Sequence, residues 1–148
     1  MNALGDLVKI ELIEAPSETD VARIYEGLHR FNLQHIPNLN ELSLGLFIRD
    51  KNEAIVGGAI GIILPSVMQI KYLWLAEHIR NQGIGKNIMQ RLESEASARG
   101  LQSITLETYT FQAPDFYTKL GFNEVGRYIN HPSRGIDKVF YQKNLYGL

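Results

Sequence analysis

Apolar residues in this chain recur with two different periods, and the switches between them mark out the elements. From Ser43 to Arg49 and from Ala54 to Leu64 they alternate or run on, as half-buried or buried strands require. The turn-rich tetrapeptide Asp50-Lys-Asn-Glu53 joins these two runs, which predicts a hairpin. Gly57 and Gly58 inside the second run predict a bulge or a close backbone neighbour, and Pro65-Ser66 ends it. The run Ile70-Lys-Tyr-Leu-Trp-Leu-Ala76 reads as a buried strand. Beyond it Ile84, Ile88, Met89, Leu92 and Ala96 fall on one face at helical spacing. Ser103 to Glu107 is a further strand. Pro114 opens a short helix that runs to Leu120 and stops at Gly121. Asn123 to Arg127 and Lys138 to Gln142 are closing strands, with Ile129 to Asp137 as a mobile loop between them.

Ahead of the hairpin, Leu7 to Glu14 alternates as a first strand. Ser17-Glu-Thr-Asp20 is a helix start, with Ser17 as cap and Asp20 reaching back in a weaker form of the capping box. Val21, Ile24, Tyr25 and Leu28 form the stripe behind it. Pro37 interrupts Phe31 to Leu42, which reads as a second short helix and a loop. The sum is an α+β chain with a mixed sheet flanked by helices.

Composition narrows the function classes. At 148 residues the chain is read as one domain, 1–148, with 45% hydrophobic and 21% charged residues. A net charge of −1 with no block of like charges favours neither nucleic acid nor an anionic membrane. The chain has no cysteine, which removes disulfides, thiol nucleophiles and thiolate metal sites and fits a reducing compartment. Its four histidines make no metal-ligand spacing, so no metal is expected. The beginning of the chain carries no basic-then-apolar leader and no run is long enough to span a bilayer, so a cytoplasmic location is expected.

The chemistry concentrates at Arg80-Asn-Gln-Gly83-Ile-Gly85-Lys86. A strand that passes through Gly-x-Gly into a helix exposes free backbone N–H groups at the positive end of the helix dipole, which suits a phosphate or pyrophosphate. A Cβ at Gly83 or Gly85 would block close approach or forbid the turn's dihedrals. The dinucleotide fingerprint is not met, because its third glycine would fall at Ile88, and no P-loop Gly-Lys-Ser/Thr follows.

Arg80-x-x-Gly83-x-Gly85 resembles the Arg/Gln-x-x-Gly-x-Gly/Ala signature of the GNAT superfamily of N-acetyltransferases. Phe116-Tyr117-Thr-Lys-Leu-Gly121-Phe122 resembles the Phe-Tyr-x-x-x-Gly-Phe segment that closes the same family's cofactor site. The resemblance is specific over about Ile70 to Phe122. It implies a GNAT-like fold in which two central parallel strands, here Gln69 to Leu75 and Ser103 to Glu107, splay apart to admit acetyl-CoA. It implies that the main chain of Gln82, Gly83, Ile84, Gly85 and Lys86 cradles the pyrophosphate with help from Arg80, while the Lys86 side chain either joins them or points to solvent. Main-chain groups of Leu73 to Leu75 would bind the pantetheine arm, and an N–H near Leu75 would face the developing oxyanion. Tyr117 would be the general acid for the leaving thiolate. Where many family members have an asparagine seven residues before this tyrosine, Thr110 stands here, with Gln112 nearby as a substitute contact; Ala113, four before it, matches.

The base stays open among Glu107, Glu77, His29, His35 and a water chain, with Glu107 preferred. Tyr25, Phe31, Asn32 and His35 would line the acceptor side if the family arrangement holds. The expected activity is transfer of acetyl from acetyl-CoA to a primary amine of a small molecule, by direct attack in a ternary complex, with a homodimer expected by family habit alone. The alternatives are a protein or peptide N-acetyltransferase and a non-catalytic acyl-CoA-binding sensor. An acetylating toxin acting on charged tRNA is disfavoured by the near-neutral charge.

Overall fold

The computed structural model describes residues 9–146, in two compact units that meet in sequence between Leu39 and Asn40. The first unit holds one helix, α1 (Glu18–Leu33). Ser17 caps it as expected: the backbone is extended there and the hydroxyl accepts from the Asp20 N–H at 3.1 Å. The apolar stripe Val21, Ile24, Tyr25 and Leu28 is exposed.

Two expectations for this region are corrected. Residues 9–14 form no strand, and Leu7 and Val8 lie outside the described residues. Alternation alone does not make a strand without a ladder to complete it. The second short helix is also absent. Nothing breaks the helix at Phe31, so α1 runs on to Leu33 and then unwinds through turns, with the His35 and Ile36 N–H groups both on Asn32 O. Pro37 has no N–H to give and disfavours helix in the residue before it.

The second unit is a six-stranded mixed sheet in the order β1-β2-β3-β4-β6-β5. The strands are β1 (Leu42–Arg49), β2 (Ile55–Ile63), β3 (Val67–Leu75), β4 (Ser103–Tyr109), β5 (Asn123–Tyr128) and β6 (Lys138–Asn144). The helix α2 (Ile84–Ala98) joins β3 to β4, and α3 (Pro114–Lys119) joins β4 to β5. Every neighbouring pair is antiparallel except β3 and β4, which a helical crossover makes parallel.

The β1–β2 hairpin closes as its sequence predicts, with Asp50 Oδ1 accepting from the N–H groups of Asn52 and Ala54. The register slips between Ile48, which faces Gly57, and Arg49, which faces Ile55, so Val56 is an extra residue in β2. At Gly58, with φ +150°, an added Cβ would stand 2.3 Å from Leu46 O, so the close-neighbour expectation for this glycine pair holds.

One face of the sheet packs against α2. Met68, Ile88, Leu92, Ile104 and Val139 are fully buried there. From β6, Lys143 Nζ reaches both Glu93 Oε2 on α2 (2.9 Å) and Leu120 O at the end of α3 (2.7 Å), so both helices lie on this face. The β5–β6 loop, expected to be mobile, is cross-linked by hydrogen bonds of its own. Asp137 accepts from the Asn130 N–H and from Arg127, Asn130 Oδ1 accepts from the Gly135 N–H, and His131 N–H donates to Ile136 O. No helix among the described residues is long and apolar enough to cross a membrane.

Candidate functional site

The pairing of β3 with β4 is short. It runs from Val67↔Ser103 to Ile70↔Leu106 and stops, although β3 continues to Leu75 and β4 to Tyr109. The cause lies on the other edge of β3. Tyr72 stands opposite Ile60 and Ile70 opposite Gly61, so Lys71 is an extra residue in β3. Such a bulge bends and twists its strand. It also shifts the side-chain phase: Met68 and Ile70 point to the core before it, and Leu73 and Leu75 after it. The two strands part at the residue where the bulge acts, which is the splay expected for this pair.

Past the bulge, the backbone of β3 alternates. The Ala76 N–H donates to Val56 O on β2, so Leu75 and Leu73 turn their N–H and C=O groups to the opposite edge, toward the gap. Leu75 O is taken by Arg80 Nε at 2.9 Å, which folds the Arg80 side chain back along the gap.

The turn that follows is built for free N–H groups. Glu77–Ile79 is a single 3-10 turn. Asn81 and Gly83 both adopt positive φ (61° and 81°), and Gly83 caps α2 with no side-chain hydrogen bond. The first helical bond is Asn87 N–H to Gly83 O. Among the described residues, therefore, no backbone carbonyl accepts from the N–H groups of Gln82, Gly83, Ile84, Gly85 and Lys86. They form a concave row of donors at a helix start, a fit for a pyrophosphate. The two glycines serve different ends. A Cβ on Gly83 would meet nothing within 4 Å, so its need is the left-handed backbone. A Cβ on Gly85 would stand 3.4 Å from Phe116 Cζ and 3.7 Å from Leu75 Cδ1, ordinary contact distances, so protein packing does not require the glycine there and a ligand's close approach is the remaining reason for it. Those distances put the cradle, the end of β3 and α3 together. The Gln82 side chain turns away, Nε2 donating to His78 O at 3.3 Å.

The spacing of the Phe116 to Phe122 motif has a physical reason. Phe122 N–H donates to Tyr117 O, Gly121 N–H donates to Thr118 O, and Gly121 has φ +92°. This is the Schellman ending of a helix, with the glycine in the left-handed position and an apolar residue packing back on the third residue from the end. Here that pair is Tyr117 and Phe122, ring centroids 6.0 Å apart. Phe116 edges against Tyr117 at 5.1 Å and Tyr141 lies beside it at 5.9 Å. The Tyr117 ring is thereby fixed on the helix face of the sheet, 9% exposed, and burial pushes its phenol up to about 12.

Glu107 is the first residue of β4 beyond the pairing with β3. Leu106 and its register partner Tyr141 face the helices, so Glu107 and its partner Phe140 face the other side. Tyr117 and Glu107 therefore lie on opposite faces of the sheet. The carboxylate is engaged: Oε1 is 3.1 Å from Lys138 Nζ. On the same face a cleft of about 260 Å3 is lined by Gln69, Thr105, Glu107, Val125, Phe140 and Gln142.

The substitutes for the missing asparagine have structural partners. Gln112 Oε1 accepts from the Tyr109 N–H and from the Thr108 hydroxyl, capping the end of β4. The Thr110 hydroxyl accepts from the Asp137 N–H at 3.2 Å. The acceptor candidates belong to the first unit. Within it, Tyr25 stacks on His29 (5.6 Å), Phe31 lies tilted against His35 (5.4 Å), and Asn32 O accepts from His35 N–H. Glu77 sits in the 3-10 turn. Sequence reasoning missed the bulge at Lys71, because an apolar run hides a change of phase. It also missed Lys138, whose position beside Glu107 depends on the β4–β6 register.

Comparison with known proteins agrees with this architecture. Residues 9–122 match the model of the acetyltransferase (GNAT) family. The acetyltransferase Atu2258 of Agrobacterium fabrum is 27% identical over 112 residues, covering 76% of this chain and 81% of that protein. A blasticidin-S acetyltransferase from Streptomyces morookaense is 28% identical over 79 residues, covering 53% of this chain and 58% of that protein. The crystal structure of an acetyltransferase from Bacillus cereus superposes with a TM-score of 0.80 at 26% identity, covering 90% of this chain and 97% of that one. Acetyl-CoA is the co-substrate of this family, and the free N–H row with the open edge of β3 suits it. The chain is an acyltransferase and belongs to the GNAT family of acetyltransferases.

Proposed function

We propose that the protein transfers the acetyl group of acetyl-CoA to a primary amine of a small molecule, by direct attack in a ternary complex. The observation that supports this reading most is the row of N–H groups without backbone acceptors at the start of α2, next to the edge of β3 that β4 leaves beyond Ile70 and beside Phe116, the neighbour of Tyr117. Acetyl-CoA supplies an activated acetyl thioester. The N–H groups of Gln82 to Lys86 and the terminal amino groups of Arg80 would hold its pyrophosphate, charge-assisted. Leu73 and Leu75 would bind the pantetheine arm as an added strand is bound. The Leu75 N–H, fixed in direction by the sheet, is the donor for charge developing on the carbonyl oxygen, a role that elsewhere contributes about 3 kcal/mol.

Tyr117 would face the departing sulfur. With its phenol near 12, it is fully protonated at neutral pH. Complete transfer of its proton to a thiolate of pKa ~8.5 is uphill by ~5 kcal/mol, so Tyr117 would donate a hydrogen bond to the departing thiolate and keep its proton, and the thiolate would be protonated by hydronium or buffer acid once it meets solvent at neutral pH. Glu107, on the opposite face, would take the proton of the incoming amine. Acid and base on opposite faces fit a reaction in which the nucleophile enters on one side and the leaving group departs on the other.

The test is release of free thiol from acetyl-CoA with a panel of small amines, for the wild type and Tyr117→Phe. The reading expects amine-dependent release, lowered about a hundredfold in the variant with acetyl-CoA affinity little changed. Equal turnover in the two proteins would remove Tyr117 from the mechanism. Tight CoA binding without turnover of any small amine or peptide would favour a non-catalytic sensor. Turnover confined to peptides would move the acceptor to protein N-termini or lysines.

A further inference from the structure

Lys138 is one of the polar residues that the scheme above leaves without a role. It stands opposite Tyr109 on β4 and opposite Tyr128 on β5. Its Nζ is 3.1 Å from Glu107 Oε1 and 5.9 Å from the centroid of the Tyr109 ring. One ammonium thus lies between one carboxylate and an aromatic face, an arrangement that holds a primary ammonium. The pair is open to water, with the Glu107 side chain 44% and the Lys138 side chain 21% exposed. Exchange is therefore inexpensive: an exposed ion pair shifts an equilibrium constant by about fivefold at most. The adjoining cleft adds the amides of Gln69 and Gln142, the Thr105 hydroxyl and the apolar Val125 and Phe140, but no second carboxylate.

We propose that Glu107 and the Tyr109 ring form the subsite for a single ammonium of the acceptor, and that Lys138 fills this subsite in the free protein as a tethered competitor. The proposal rests on the reading that the acceptor reaches the gap from this face. A small monoamine displaces Lys138 Nζ charge for charge, with its body in the cleft. The second ammonium of a polyamine finds no carboxylate among the cleft residues and meets the released Lys138 charge. The acceptor class is thus a small molecule with one amine on an apolar or hydrogen-bonding body.

The experiment is calorimetric titration with 2-phenylethylamine, in the absence of CoA, of the wild type, Lys138→Met and Glu107→Gln, each first shown to melt cooperatively. Lys138→Met is expected to bind the probe up to about fivefold more tightly than wild type, and Glu107→Gln up to about fivefold more weakly. Spermidine is expected to bind Lys138→Met no more tightly than the monoamine does. Unchanged or weaker binding by Lys138→Met, unchanged binding by Glu107→Gln, or no measurable binding by any of the three overturns the proposal. A marked preference for a peptide bearing a free N-terminus overturns the small-molecule assignment. A parallel CoA titration reports on the cradle alone: its failure beside an intact amine pattern would strike the acetyltransfer reading and leave this subsite standing.

Discussion

Tyr117 is packed into the helix face of the sheet, and the chemical role proposed for it comes on top of that structural one. Burial raises its phenol from 10.0 to about 12 because the phenolate would lose its water. The folded state then holds its proton over a range in which the unfolded chain has lost it. This contribution to stability is fully present below about pH 10 and is lost as pH rises to about 12, a change of about 2–3 kcal/mol. Ultraviolet titration of the folded protein should show one tyrosine ionising well after the exposed ones, and Tyr117→Phe should remove that late step. A late step that persists in the variant would assign the raised group elsewhere. At Gly58 the constraint is steric, since an alanine Cβ would stand 2.3 Å from the Leu46 carbonyl oxygen at a φ of +150°. Gly58→Ala should cost about 2 kcal/mol or more and lower the melting temperature by roughly 4–8 °C. An unchanged melting curve would mean that the hairpin shifts freely there.

Each element carries its function through how it ends. The strand β3 ends in an open edge because Lys71 bulges it away from β4, α2 begins without a side-chain cap, and α3 closes in a Schellman turn that fixes Tyr117. The second and third of these were legible in the sequence, since left-handed positions at Gly83 and Gly121 require glycine and helical spacing places the tyrosine. The bulge was not, because Ile70 to Ala76 reads as one apolar run whichever phase it holds. The extent of α1 was misjudged for a related reason: Pro37 marks where a helix cannot continue, but not that the chain beyond it forms turns. The β5–β6 loop has polar, turn-prone residues that suggested motion, while its hydrogen bonds converge on Asp137. The Asn130 N–H and then Arg127 lower that carboxyl below its usual range, so the bracing is present above about pH 4 and is lost as pH falls through the lowered value. Asp137→Ala should therefore speed hydrogen exchange at Asn130 and Gly135 while leaving α2 protected. Unchanged exchange in this loop would show that Asp137 does not hold it.

In the unit from Asn40 onward, the sheet separates the groups proposed to react onto two faces, with the N–H row and Tyr117 on the helix side and Glu107, Lys138 and the cleft on the other. That division depends on which residues pair across β4 and β6, and long-range register leaves no local trace in the chain. The cofactor motifs were readable because each is a local turn. The Glu107–Lys138 face proposed for the acceptor was not, because it is assembled by pairing. The central claim is that the cradle binds acetyl-CoA, and calorimetric titration of the wild type and Gly83→Trp with acetyl-CoA tests it most directly. A side chain at Gly83 meets no core atom but sits on a left-handed backbone, so Gly83→Trp is expected to distort and obstruct the cradle while leaving the core intact, which a melting curve verifies. The account predicts saturable one-to-one binding that is lost in the folded variant. Wild type that melts cooperatively yet binds no acetyl-CoA, or a folded Gly83→Trp that binds it as well as wild type does, would contradict it.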